Sequence, residues 1–213
     1  MTPDSSYHTI EKLSVAEFKD RGSKFIAYAF PLAAINEFKE KLAALKKVHP
    51  KAVHHCFAYR LGLDGTSLPA GQAGFRVSDD GEPSGTAGRP ILGQIDSKLL
   101  TNVLIIVVRY FGGTLLGVPG LINAYKTAAA LALEANTIIQ KPVLINYRLQ
   151  FDYTQMNEVM KVVKQFDCVV LKQDPVNYRE QLFCSLEIGV PKNRVEEVLS
   201  KLKDLRGVEM EKF

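Results

Sequence analysis

The sequence predicts an α+β protein of two domains, residues 1–141 and 142–213. Three observations carry the prediction. Val103 to Val108 is an unbroken apolar run, mostly β-branched, which marks a strand buried on both faces. Two glycine-rich loops flank that strand, and each leads into a helical pattern. Beyond Lys141-Pro142 a second complete pattern begins, and its order, βαββαβ, is the ferredoxin-like arrangement. A length of 213 residues allows two domains without demanding them.

In the first domain, Ile10, Leu13, Val15 and Phe18 precede a turn at Asp20-Arg21-Gly22, and Phe25 to Phe30 follow it. Residues 7–32 therefore read as a hairpin that Pro31 ends. Ile35, Phe38, Leu42 and Leu45 recur every three or four residues, so an amphipathic helix reaches His49 and Pro50 stops it. The next strand spans residues 53–61. Alternation puts His54, Cys56, Ala58 and Arg60 on one face and Val53, His55, Phe57 and Tyr59 on the other. Residues 62–74 read as a mobile loop rich in Gly, Ser, Pro and Ala, and Phe75-Arg76-Val77 leads out of it. Ile91, Leu92, Ile95 and Leu99 have helical spacing, and Pro90 suits a first turn, where its missing N–H costs nothing. After the second loop, Leu121, Ile122, Tyr125, Ala129 and Ala132 form a stripe ending near Asn136.

The second domain reads as strand 144–150, helix 153–165, strands 168–173 and 178–188, a helix after Pro191, and a last strand 207–212. Met156, Val159, Met160 and Val163 face inward on its first helix; Val195, Val198, Leu199 and Leu202 do so on its second.

Composition excludes several classes. No apolar run approaches the roughly 18 residues of a membrane span, and residues 1–6 lack the basic and apolar regions of a secretory signal. Cys56, Cys168 and Cys184 are odd in number and far apart, which fits free thiols better than a disulfide framework. A cytoplasmic protein is expected. In residues 1–141, 16 Lys and Arg face 12 Asp and Glu, whereas in residues 142–213 the count is 11 against 11. The basic excess lies wholly in the first domain and permits an anionic partner there.

Seven of the fifteen glycines sit in the two loops, at positions 81, 85, 88, 112, 113, 117 and 120. A glycine-rich loop feeding a helix offers free N–H groups and the positive end of a dipole, which suits phosphate or carboxylate. Arg109 precedes the second loop and Lys126 follows it. The same glycines equally serve tight strand–helix packing, and spacing alone does not choose. Neither nucleotide fingerprint, G-x-x-x-x-G-K-S/T or G-x-G-x-x-G, is present. The first loop carries Asp79, Asp80 and Glu82. These acids have three readings: helix capping in a solvated turn, an ion pair from Asp79 or Asp80 to Arg109 or Arg89 that ties the loops together, or a divalent cation site. His54 and Cys56 share a strand face, which allows an activated thiolate or simply a buried cysteine.

At these residues the chain resembles the YigZ/IMPACT family. The resemblance rests on Ser23-Lys24-Phe25, on His54, Cys56, Ala58 and Tyr59, and on Asp79-Asp80-Gly81-Glu82-Pro83 with Gly85-Thr86-Ala87-Gly88 and Pro90. It continues through Val108-Arg109-Tyr110-Phe111-Gly112-Gly113, Leu116-Gly117, Gly120-Leu121 and Ala124-Tyr125. It implies a first domain like the second domain of small-subunit ribosomal protein five, and a second like the last domain of elongation factor G. It also implies a translation-associated binding protein. Eukaryotic IMPACT proteins restrain a starvation kinase through a separate N-terminal domain for which this chain has no room, so that role is not expected here. Family members usually have glycine where this chain has Pro119, which removes one N–H from the second loop.

The leading expectation is binding of RNA or the ribosome by a partly basic groove. Its contacts would be Lys24, His54, Arg60, Arg89, Arg109, Tyr110, Gly112, Gly113, Gly117 and Lys126. Two alternatives stand beside it. One is an enzyme acting on a small phosphorylated or carboxylated substrate with His54, Asp80 and Glu82. The other is an adaptor that meets a protein through residues 142–213. No metal or cofactor is expected.

Overall fold

The turn at Arg21-Gly22 is where the first sheet starts to take shape. Both residues have positive φ, 44° and 80°, the signature of a tight turn whose twist matches antiparallel strands. It joins β2 (Ser14–Asp20) to β3 (Ser23–Pro31). The computed structural model describes residues 5–62, 74–178 and 181–213. Two compact units are present, one within Tyr7–Lys141 and the other comprising Pro142–Phe213 together with Ser5 and Ser6.

In the N-terminal unit, β3, β6 (Val103–Tyr110), β4 (His54–Leu61) and β5 (Gly74–Ser78) follow β2 in an antiparallel sheet ordered β2-β3-β6-β4-β5. Central β6 is buried on both faces, as its apolar run predicts. On one face Leu104, Ile106 and Val108 pack with Phe57, Tyr59 and Leu61 against Phe38 and Leu45 of α1 (Ile35–Val48). On the other, Ile105 and Val107 pack with Phe25, Ala27, Cys56 and Ala58. Covering them are α2 (Gly88–Ser97), through Ile91 and Ile95, and α3 (Gly117–Glu134), through Tyr125, Ala128 and Ala132. Small residues dominate that face of α3, letting it lie close to the sheet.

The hairpin expected over residues 7–32 is shorter than its apolar pattern. Ser6–Ile10 is a separate strand, β1, which pairs with β7 (Ile138–Pro142) in a small two-stranded sheet. The exposed residues Glu11, Lys12 and Leu13 break the run. Of the loop expected at 62–74, residues 63–73 lie outside the described residues.

The C-terminal unit has β8 (Leu144–Asp152), α4 (Met156–Gln165), β9 (Val169–Tyr178), β10 (Gln181–Pro191), α5 (Val195–Lys203) and β11 (Glu209–Lys212). Its antiparallel sheet runs β11-β8-β10-β9. Leu149, Phe151, Leu186 and Ile188 meet Val159, Val163, Val198 and Leu202 in its core. The helix expected from Tyr153 begins instead as a 3₁₀ turn over Tyr153–Gln155. There Asp152 accepts from the Thr154 N–H at 2.9 Å, so the chain tightens before α4 starts. The α+β class and the two sheet-containing units are as the sequence predicts.

Candidate functional site: a buried ion pair between two glycine loops

The ends of β4 and β6 lie side by side, with His54 opposite Arg109. Arg109 also stands opposite Phe25 on β3, so its side chain leaves the sheet toward α2 and α3. There Arg109 Nη1 donates to Glu82 Oε1 at 2.5 Å. Both side chains are buried, Glu82 at 3% exposure and Arg109 at 6%. The Tyr125 hydroxyl donates to the same Oε1 at 2.8 Å. The Arg109 guanidinium lies 5.4 Å from the Phe25 ring centre and 5.7 Å from that of Phe111, while its Nε has no partner among the described residues. The pair ties the first loop to β6, and Tyr125 ties both to α3.

The other two acids of the first loop do different things. The Asp79 carboxylate accepts from the backbone N–H groups of Gly85 (2.8 Å), Ala87 (2.9 Å) and Gly88 (2.8 Å). Burial raises the Asp79 pKa, and the three N–H bonds outweigh burial, leaving the carboxyl below its ordinary value. Asp80 accepts from the His55 N–H at 2.7 Å and lies 3.8 Å from Lys46. The ion pair expected from Asp79 or Asp80 is thus made by Glu82 instead. With Asp80 at φ 41° and Gly81 at φ 90°, the chain reverses between the acids and sends them to separate partners. Among the described residues no cluster of three metal-binding side chains forms.

His54 Nδ1 lies 2.8 Å from the Asp80 carbonyl oxygen. A carbonyl only accepts, so Nδ1 carries the proton, and Nε2 faces Glu82 Oε1 at 3.8 Å. The Cys56 thiol donates to the Asp79 carbonyl at 2.9 Å, and its pKa is pushed far up by burial. It is a packed thiol with no activating base, and of its two sequence readings the buried one holds.

The second loop answers the question its glycines pose. A Cβ on Gly112 would lie 1.9 Å from the Gly22 carbonyl carbon. Two backbones touch there, and the Gly112 N–H donates to Ser23 Oγ at 3.1 Å. At this position tight packing is the use. Gly113, Thr114, Leu115 and Gly117 are exposed, and α3 begins with no side-chain cap and no acid in its first turn.

The remaining expected contacts do not converge on Arg109. Lys24 and Tyr110 stand opposite each other on β3 and β6 and face α1, on the other side of the sheet. Lys24 pairs with Glu17 at 2.5 Å, and the Tyr110 hydroxyl lies 2.8 Å from His49 Nδ1. Arg60 is six residues along β4 from His54, about 20 Å, and pairs with Asp96 at 2.7 Å. Arg89 and Lys126 are exposed on α2 and α3. A strand period of two explains the division: neighbouring residues such as Arg109 and Tyr110 leave on opposite faces. Tyr125, which completes the network, carries one signal in sequence: a hydroxyl within an otherwise apolar helical stripe.

Residues 21–133 match the Impact N-terminal domain. The chain is 35% identical over 182 residues to IMPACT family member YigZ of Escherichia coli, covering 85% of this chain and 84% of that one. It is 33% identical over 193 residues to an IMPACT family member of Haemophilus influenzae, covering 89% and 87%. A crystal structure described as that of a hypothetical protein superposes with a TM-score of 0.73 at 30% identity, covering 97% and 96%. On the shared domain and on identity extending over most of both chains, this protein belongs to the IMPACT family.

Proposed function

We propose a translation-associated binding protein of the cytoplasm that engages RNA or the ribosome through its N-terminal unit. One observation carries the reading. Of the two glycine loops, the first is closed by the protein's own Asp79 carboxylate, while the second leaves the start of α3 exposed and uncapped. The first shows what the geometry accepts, an anion on backbone N–H groups; the second offers the same kind of end to an outside anion. Lys126 lies exposed further along α3. The family resemblance supplies the link to translation, and the basic excess of residues 1–141 supplies the sign of the partner.

Burial of Arg109 changes its part. It holds the two loops in place and leaves phosphate contact to exposed cations. The enzymatic alternative loses ground for a related reason, because Glu82 is committed to Arg109 and Tyr125, and Asp80 to the backbone of His55. The charge-balanced residues 142–213 remain the proposed contact for a protein partner.

The test is a filter-binding titration of the full chain with ribosomal RNA and transfer RNA between about 50 and 200 mM salt. Binding is expected to weaken steeply with salt, and Lys126→Glu to weaken it further without lowering the melting temperature. An absence of binding at about 50 mM salt would overturn the reading.

A further inference from the structure

Strand β5 is the edge of the five-stranded sheet, bonded to β4 on one side only. Its Phe75 is half exposed, at 50%. Two guanidiniums flank the ring: Arg60, opposite it on β4, at 5.7 Å from the ring centre, and Arg89, from the first turn of α2, at 5.9 Å. Asp96 pairs with Arg60. Arg89 has no acidic partner among the described residues. Arg76, next along the strand, lies 5.8 Å from the rings of Phe38 and Phe57 beneath α1 and likewise has none. On the α2 side of the sheet the edge therefore carries an accessible aromatic ring between two cations, with Asp96 as the acid beside them among the described residues, while Arg76 leaves on the α1 side.

Cations on an open edge have a plain use, since they deter a second strand from pairing there. That use does not account for a large apolar ring left in water between them. Bases stack on aromatic faces and on guanidinium planes, and the phosphates beside a stacked base need cations within reach. A duplex hides its base faces and cannot use such a ring. We propose that the β5 edge is a contact for single-stranded RNA, with a base stacked on the Phe75 tier and a flanking phosphate on Arg89. This rests on the RNA-binding reading above and adds to it a strand state and a location away from the buried ion pair.

The test is fluorescence anisotropy on the full chain, using a labelled oligouridylate of about ten nucleotides and an RNA duplex of matched length. The single strand is expected to bind more tightly than the duplex. Phe75→Leu keeps an apolar side chain but removes the ring, and should weaken single-strand binding by roughly five- to a hundredfold. Phe75→Tyr restores a ring and should restore the affinity. Arg89→Ala should flatten the slope of log affinity against log salt by about 0.7. Equal binding of both RNAs, an unchanged affinity in Phe75→Leu, or no rescue by tyrosine overturns the contact while leaving the RNA reading intact. If the wild type binds neither RNA, the contact falls, and the filter titration with ribosomal and transfer RNA decides the wider reading separately. If a polyaspartate peptide competes as well as RNA does, the edge is a site for an acidic protein and the stacking proposal is overturned.

Discussion

Replacing Arg109 with methionine isolates the energetics of the buried pair. Methionine keeps apolar contact with Phe25 and Phe111 and removes the charge. Glu82 then sits at 3% exposure with the Tyr125 hydroxyl as its remaining close donor. Removing one partner of a buried pair costs about 3–5 kcal/mol, because the other charge is left without compensation. Loss of the two cation–π contacts adds about 0.5–1 kcal/mol each, while the Tyr125 bond offsets part of the total. An overall loss of about 3–5 kcal/mol is expected. Combining Arg109→Met with Glu82→Gln removes both charges and should recover at least about 2 kcal/mol of it. Urea unfolding at neutral pH reads the effect, followed by far-UV circular dichroism and by tyrosine emission, since the chain has no tryptophan. Each unit has its own core, so the curves are to be fitted with two transitions. A loss below about 1 kcal/mol, or a double variant no more stable than the single one, would refute the reasoning.

Three further outcomes are expected. Gly112→Ala drives a methyl into the Gly22 backbone and should destabilise the N-terminal unit by at least about 2 kcal/mol, whereas Gly113→Asn, in open space at φ 86°, should be tolerated; paired melting curves decide. Asp79→Asn should cost about 1–2 kcal/mol by weakening the closure at the start of α2. Because the Asp79 carboxyl sits below its ordinary value of 3.8, its stabilisation is whole above that pH and is lost as pH falls through the lowered value. The asparagine variant should therefore show a shallower acid transition. His55 is buried, and desolvation lowers its ring pKa below 6.5 against the pull of Asp80. The unfolded chain then takes the proton first, so stability is full above pH 6.5 and drains below it. His55→Phe should flatten the stability–pH curve below pH 6.5, and an unaltered slope would exclude this residue as the cause.

The parts of the fold written in local pattern could be read from sequence, and the parts written in long-range pairing could not. Val103 to Val108 announces a central strand by composition alone, and βαββαβ is a sum of local periods. Strand β7 is different: Ile138–Pro142 is short and mostly exposed, and it is a strand only because β1 lies beside it. At the site, the two loops and Arg109 could be named in advance, but the choice among three carboxylates could not. That choice is made by positive φ at Asp80 and Gly81, which turns Glu82 inward. The scatter of Lys24, Arg60 and Tyr110 has the same origin, because closeness in sequence or in composition does not say which face, or which end of a strand, a side chain leaves from.

The small sheet of β1 and β7 bears on the order in which the N-terminal unit closes during synthesis. Ile10 of β1 is fully buried, the His8 carbonyl accepts from Thr101 at 3.0 Å, and the Glu11 N–H donates to Thr137 at 3.0 Å. None of these partners exists when β1 leaves the ribosome. The hairpin of β2 and β3 can form at once, from neighbours, but β1 must wait for more than a hundred residues before β7 arrives beside it. Closure of this unit is therefore timed by translation itself, and slowing elongation ahead of Ile138 would prolong the interval in which β1 stands unpaired.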